Sequence, residues 1–427
     1  LKSLLFYLER ADSVGGDQGK FERGWECVRA IYCRWAYGRF VQRNDGINED
    51  GTLTDQKWLE IVESINKDAS PGVDYCYQYK RNKDLLDSDP NGFRQRVESR
   101  MAKRLELFKN PIQVDGVEEA IQRIEMDLVS PVRVFNKDEP TKWTKETRLV
   151  NSLSAEDNAI EKATSLKKAN KFMDHWMDSV STVGIKLKNV ECMAEFRAVS
   201  EEFFGVPEGA SVENTDVRGW EWAFKKVAHR IALDIEFYLE TGGFPEDLPV
   251  TEWSPTLRLL WVEHHLSVAS KVLVLSDGRA LWTDHVWMLS GKFKTSFQGT
   301  HVRSALCSIV ATMRANRPVV VAAKSNGDDC LNKTFKNLDY TSEYLEAGFV
   351  ITDRFVAARP ADAWSFCSHR ILRDNHYVES ITKLVLSLFR HKELTCELWD
   401  DFSYNVRTRP DFESILSLVR EVLGREE

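Results

Sequence analysis

Residues 318–331 read PVVVAAKSNGDDCL: an uncharged, valine-rich run to Ala323, then Lys-Ser-Asn, Gly327 and two adjacent carboxylates, Asp328 and Asp329. The run predicts a buried strand and the glycine a tight turn. Two acids side by side on a turn repel each other, and they persist together where cations compensate them. Magnesium prefers oxygen ligands and bridges carboxylates to phosphates. A pair of such ions can hold both the attacking and the leaving oxygen of a phosphoryl transfer. A site of that kind needs a third carboxylate from another strand. Asp216, in ENTDVRGWEW, falls where a short strand should give way to a helix and is the candidate. Taken singly, each feature has a plainer reading: the acid pair as a surface turn, Asp216 as a helix N-cap.

The chain has 427 residues, 43% hydrophobic and 29% charged, which describes an ordinary folded protein with core enough for two or three domains. Its net charge of −8 argues on average against binding a polyanion. An enzyme that encloses a nucleic acid, however, needs basic walls only inside its channel. The eight cysteines are scattered, with no CxxC pair and no accompanying histidine cluster, so reduced thiols fit better than a zinc site or disulfides. No apolar run reaches the length of a membrane span, and the first residues lack a signal-peptide pattern. The chain begins with Leu1, as a piece of a larger product would.

Periodicity predicts a helix from Glu22, and another capped by Thr54 with Trp58, Ile61, Val62 and Ile65 on one face. A third, from about Asn91 to Phe108, carries Arg94, Arg96, Arg100, Lys103 and Arg104, which read mostly as a solvated basic face. SPVRVFNKDEPTKWTKETRLVNS, from Ser130, alternates as strand, loop and strand, and is crowded with Lys137, Lys142, Lys145 and Arg148. Val227, Ile231, Ile235 and Tyr238 mark a helix after Asp216. KVLVLSDGRALWTDHVWML reads as a hairpin. Ser290-Gly291 opens a loop before a helical stripe of Val302, Leu306, Ile309, Val310 and Met313. A helix near Ser342–Ala347, a strand GFVITD and the segment SFCSHRI follow. HYVESITKLVLSLFRH is expected as one helix, and a last one is expected from Pro410 to Gly424.

In chain order, SPGVDYCY, FNKDEPTKWTKETRLV, TDVRGWEW, SGKFKTSFQGTH, the GDD hairpin, YLEAGFVITD and FCSHRI resemble motifs G, F, A, B, C, D and E of viral RNA-dependent RNA polymerases. The flavour is that of positive-strand viruses of the sobemovirus, polerovirus and barnavirus kind, and the resemblance covers about residues 70–371. It implies an α+β right-hand polymerase fold with an antiparallel palm sheet backed by helices. Residues 1–205 would be mainly fingers, 206–241 and 290–374 palm, 242–289 a fingers insertion and 375–427 thumb.

The same resemblance implies template-directed ribonucleotidyl transfer. Asp216, Asp328 and Asp329 would hold Mg2+, with Mn2+ as the alternative. Lys137, Lys145 (or Lys142, since this loop varies in length) and Arg148 would contact the nucleotide with Glu221, Ser290 and Thr295. Ser70, Gly72, Gly291, Cys367 and Ser368 would line the path of template and primer. Partners would be the RNA template, the nascent RNA, nucleoside triphosphates, a genome-linked protein primer and other viral replication proteins, in membrane-associated complexes of the host cytoplasm. Two positions depart from the family. Glu221 stands where a second Asp is usual, and Gly299 where Asn is usual; a longer acid and a space-leaving glycine would compensate each other, with Thr300 a neighbouring hydroxyl. For motif D only Arg354 lies near the place of a family lysine. A reverse transcriptase, with Trp220 or Trp222 as a sugar gate, and a non-catalytic RNA-binding relative are the alternatives.

Overall fold

The computed structural model describes residues 2–13, 15–137, 146–185, 190–205, 210–335, 338–357, 362–372, 375–388 and 395–422. Helices α1 (Lys2–Ser13), α2 (Gln18–Tyr37), α3 (Asp55–Ser64), α4 (Asn82–Ser88), α5 (Pro90–Lys109) and α6 (Gly116–Glu125) lead to strands β1 (Val132–Asn136) and β2 (Leu149–Ser152). Then come α7 (Ala155–Asp174), α8 (Val190–Phe204), β3 (Ala210–Val217), α9 (Trp220–Ala223), α10 (Lys226–Thr241), α11 (Pro255–Val268), β4 (Lys271–Leu275) and β5 (Ala280–Thr283). The chain continues through α12 (Thr295–Ala315), β6 (Ala323–Asn326), β7 (Asp329–Phe335), α13 (Thr341–Glu346), β8 (Ile351–Ala357), β9 (Trp364–Phe366), β10 (His369–Ile371), β11 (His376–Val378), α14 (Ile381–Leu388), α15 (Cys396–Val406) and α16 (Phe412–Val422).

The strands form a sheet ordered β6-β7-β3-β8, a second ordered β2-β1-β4-β5, and a small one ordered β11-β10-β9. The first is antiparallel throughout. In the second, the basic arm β1–β2 is joined to the β4–β5 hairpin by a parallel β1–β4 pairing. Behind the first sheet, α2, α10 and α12 share one core, in which Val28, Tyr32, Ile231, Ile235, Val302, Leu306, Ile309 and Val310 are buried. The expected stripe on α12 is therefore its core face. Gly242, in the left-handed region, closes α10, and Thr54 caps α3 by accepting from the Lys57 backbone N–H.

Four expectations change. Arg100 and Arg104 are not on a solvated face: they are buried against α7, where Asp157 accepts from Arg100 Nη1 at 3.3 Å and from Arg104 Nη2 at 2.5 Å. Helix α7 is enclosed on nearly every side and carries acids that pay for arginine burial by pairing, so charge on α5 points inward. The valine run 318–322 is not strand; β6 begins only at Ala323. His376–Val378 is a strand paired with β10, not the start of a helix, which begins at Ile381. The last helix starts at Phe412, with Pro410 in the turn before it.

Candidate active site

The antiparallel ladder between β3 and β7 ends with Thr215 opposite Cys330, which leaves Asp216 and Asp329 adjacent at its end. Asp328 shares a two-residue turn with Gly327, between the paired Asn326 and Asp329. Gly327 has φ +64°, a conformation that favours glycine. Asp216 also pairs with Asp353 of β8, so a fourth acid, which the sequence motifs did not single out, stands on the same face.

Crowding of like charges shows in the carboxyl groups. Burial pushes Asp329 up to about 7, with Asp328 and Asp216 adding to the rise. Arg303 and the backbone N–H of Cys367 oppose it. Asp216 is raised by burial first and Asp328 next; the Thr352 hydroxyl, 3.3 Å from Oδ2, pulls the other way. Cys367 and Ser368 form the β9–β10 turn, both at positive φ (50° and 61°), which brings this turn against Asp329.

Sequence reasoning missed Arg303. It lies inside the apolar stripe of α12 and is fully buried. Its Nε donates to Asp328 O at 3.0 Å, and its Nη2 donates to Thr215 O at 3.0 Å and to the Thr215 hydroxyl. One planar guanidinium thus ties together the backbones of the two strands that carry the acids. The signal was available: a single cation at position 303 between Val302 and Leu306. Thr300, one turn earlier, is buried and accepts from the Gly327 N–H at 2.9 Å, so it buttresses the turn.

The basic arm faces these acids. Glu221, on α9, is pushed up to about 7 by burial, pulled back by Arg148, raised again by Asp328 and lowered by Lys137. Lys137 and Arg148 therefore share one electrostatic neighbourhood with Glu221 and Asp328. Lys142 and Lys145 lie outside the described residues. Ser290 engages the basic arm. Its hydroxyl accepts from the Asn151 N–H of β2 at 3.1 Å, and a Cβ on Gly291 would lie 2.0 Å from Asn151 O. The Ser290–Gly291 loop is therefore docked on the arm that bears Arg148. Thr295 donates to Leu289 O at 2.5 Å, which holds the same loop from the other side.

Ser70 and Gly72 lie in a loop packed on the start of α7. Gly72 has φ +98°, a Cβ there would lie 2.7 Å from Ser154 Cα, and Arg133 Nη1 donates to Ser70 Oγ at 3.5 Å.

One finer expectation fails. Gly299 leaves no open space: a Cβ would lie 3.0 Å from both Trp220 Nε1 and Met288 Cε. Trp220 and Trp222 are buried in cores, Trp220 against Phe224 and Phe349, and Trp222 stacked on Tyr7 and Trp287. Arg354 pairs with Thr215, on the opposite face of the sheet from Asp216, and is bound to Glu213, Asp339 and Leu338 O.

Among the described residues, no three His, Cys, Asp or Glu side chains are already arranged to hold a metal. The donor chemistry nevertheless fits a hard divalent cation: Asp328 raises both Asp216 and Asp329, and a cation beside them would relieve that crowding.

No family model matches the chain. It is 24% identical over 368 residues to the replicase polyprotein P2AB of Southern cowpea mosaic virus, covering 84% of this chain and 35% of that protein. It is 26% identical over 329 residues to protein P2-P3 of Poinsettia latent virus, covering 74% and 27%. Over 329 residues it is 24% identical to protein P1-P2 of Potato leafroll virus, covering 73% and 28%. The chain thus spans about a third of the length of the curated relatives it matches. The crystal structure of the RNA-dependent RNA polymerase of a human picorbirnavirus superposes on 95% of this chain and 70% of that one, with a TM-score of 0.55 and 12% identity. Among the described residues no helix is long and apolar enough to cross a membrane. The chain therefore has the right-hand fold of a viral RNA-dependent RNA polymerase, and in sequence it resembles sobemovirus and polerovirus replicases.

Proposed function

We propose that the chain is the RNA-dependent RNA polymerase part of a positive-strand virus replicase, with RNA template, nascent RNA and nucleoside triphosphates as its substrates. The observation that carries this reading is the meeting of Asp216, Asp328 and Asp329 at one end of the antiparallel sheet, in reach of the electrostatic influence of the arm that bears Lys137 and Arg148. In this reading residues 206–241 and 290–374 are palm, 1–205 and 242–289 fingers, and 375–427 thumb.

Asp216, Asp328 and Asp329 would hold Mg2+ or Mn2+, which supplies Lewis-acid stabilisation of phosphoryl charge. The protein's own share is positioning. Arg303 fixes the two acid-bearing strands relative to each other. Arg148 and Lys137 offer cationic contacts to the triphosphate, and the Arg148 guanidinium can also lie flat on a base. Glu221 accepts from the ribose 2′-hydroxyl. Ser290 and Gly291 couple the arm to the start of α12. The Cys367–Ser368 turn, beside Asp329, guides the primer end, and Ser70 and Gly72 line the template path. A genome-linked protein primer, other viral replication proteins and membrane-associated complexes in the host cytoplasm complete the proposal.

Primer extension on homopolymer RNA tests it, with ribo- and deoxynucleotides and with RNA and DNA templates compared. Asp216→Ala and Asp328→Ala should abolish ribonucleotide incorporation while RNA binding persists, since phosphate contacts along the channel remain. Wild-type rates from either variant would overturn the assignment of the acids.

A further inference from the structure

Behind the Ser290–Gly291 loop, away from the acids, lies a cavity of about 60 Å3. Helices α5, α6, α7 and α11 and strands β1 and β4 enclose it. One wall is aliphatic, from Ile124, Val132, Leu153, Leu266, Val272 and Leu289. The charged groups at its edge are unevenly matched. Arg104 is paired with Asp157, Lys292 with Glu161 at 3.3 Å, and Glu263 with Lys294 at 2.5 Å. Arg123, though paired with Glu119, and Lys271 are less fully matched. Arg123 is 8% exposed and spends only its Nη2 on Glu119; its Nε and Nη1 are buried with no hydrogen-bond partner. Lys271, equally buried, donates to Ala269 O at 2.7 Å and has no carboxylate partner among the described residues. Burial, then Lys292 and Arg123, drive its pKa down to about 7. Buried N–H groups and buried cations are normally satisfied, and this pair is not.

We propose that this cavity is a binding site for a small amphipathic carboxylate, whose carboxylate pairs with Arg123 and Lys271 and whose short aliphatic body lies on the Ile124–Leu266–Leu289 wall. The spare Arg123 N–H groups lie on different edges of the guanidinium, so one carboxylate oxygen would accept from Arg123 and the other from the Lys271 ammonium. The size sets the class: at about 10–15 Å3 per water-sized occupant, the space takes only a handful of heavy atoms, too few for a nucleotide. Leu289 and Lys292, which line the cavity, bracket Ser290 and Gly291, so an occupant would also restrain that loop. The inference does not rest on the polymerase reading.

The test uses the full chain, with butyrate as the probe, n-butanol as its neutral counterpart and inorganic phosphate as an anion without an aliphatic body. Calorimetric titration should show butyrate binding at least tenfold tighter than either control. Hydrogen exchange of residues 286–295 should slow when butyrate is present. Arg123→Met should weaken butyrate at least tenfold, because the carboxylate loses one of its two cationic partners; Glu119, which also loses its partner, is only part-buried. Ala120→Leu, which fills the cavity and keeps Arg123, should also block it. The proposal is overturned if wild type binds butyrate no better than butanol or phosphate, or if both variants bind butyrate as wild type does.

Discussion

At the residue scale, the two cationic types near the acids do different work. Arg303 bonds three acceptors on two strands, so its worth lies in geometry more than in charge. Lysine supplies a point charge and cannot bridge both backbones. Arg303→Lys should therefore lower kcat for nucleotide incorporation by about tenfold to a hundredfold, the scale of a small misplacement of reacting groups. KM for the nucleotide should stay within about threefold, since the arm is untouched; steady-state primer extension separates the two. Glu221 is the opposite case, a side chain whose acceptor oxygens matter. A deoxynucleotide would leave its carboxylate unmatched, at a cost on the order of 1–3 kcal/mol, or roughly tenfold to a few hundredfold in selectivity. Glu221→Ala should narrow the ratio of kcat/KM for ribo- over deoxynucleotides by that factor. Pairing Glu221→Asp with Gly299→Asn should not restore selectivity, although the family pattern would then be complete, because Trp220 and Met288 crowd the place a Gly299 Cβ would take. Recovery in the double variant, measured with matched ribo- and deoxynucleotide series, would mean that these neighbours give way.

At the scale of elements, the legible parts of the chain were those where one physical signal dominated. The α12 stripe, the β4–β5 hairpin and the Thr54 cap followed from period, turn residues and a hydroxyl acceptor. The acids taken singly had plainer readings, and only the order of the motifs along the chain singled them out. What stayed hidden depended on tertiary partners. Arg100 and Arg104 look solvated until α7, with Asp157, is laid against them. Val319–Val321 has strand composition but no strand partner, so composition alone misleads there. His376–Val378 is helix-like in its context and becomes strand because β10 offers a free edge. The docking of the Ser290–Gly291 loop on β2 was likewise invisible, and it yields a test. Gly291→Ala would drive a methyl group into Asn151 O, and the loop or the strand must shift. Overpacking of this kind costs about 1–3 kcal/mol, which thermal unfolding should register. Because β2 follows Arg148 directly, KM for the nucleotide should rise as well. An alanine variant with unchanged stability and unchanged KM would show that loop and arm are uncoupled.

At the scale of the whole molecule, net charge and local charge make different predictions. The net charge of −8 would repel RNA, yet in the proposed reading Lys137 and Arg148 supply positive charge beside the acids. RNA binding should therefore weaken with salt, with a slope in log–log form of roughly −0.7 per phosphate contact on a single strand. A flat dependence would place the RNA elsewhere. Acid stability is set by the core instead. His301 is fully enclosed by α2, α7 and α12, with Nδ1 3.1 Å from the Tyr37 hydroxyl and its ring against Phe172 and Phe297. Burial drives its pKa down to about 3, Glu236 opposing weakly, and His264 falls to about 3 for the same first reason. The sign follows from proton counting. Between about pH 6.5 and 3 the unfolded chain holds a proton on His301 that the folded chain does not, so stability falls as pH falls through that window. The full slope is about 1.4 kcal/mol per pH unit for one such histidine. Carboxylates with raised pKa, such as Asp329 and Glu221, act in the opposite direction above pH 4.5, so the wild-type curve alone mixes the two effects. Comparing wild type with His301→Gln removes the shared terms. The glutamine variant should start less stable at pH 7, having lost ring packing, and the gap should shrink by about 1 kcal/mol between pH 6 and pH 5 in urea unfolding. A gap that stays constant across that interval would mean that His301 takes up its proton in the folded protein as readily as in the unfolded chain.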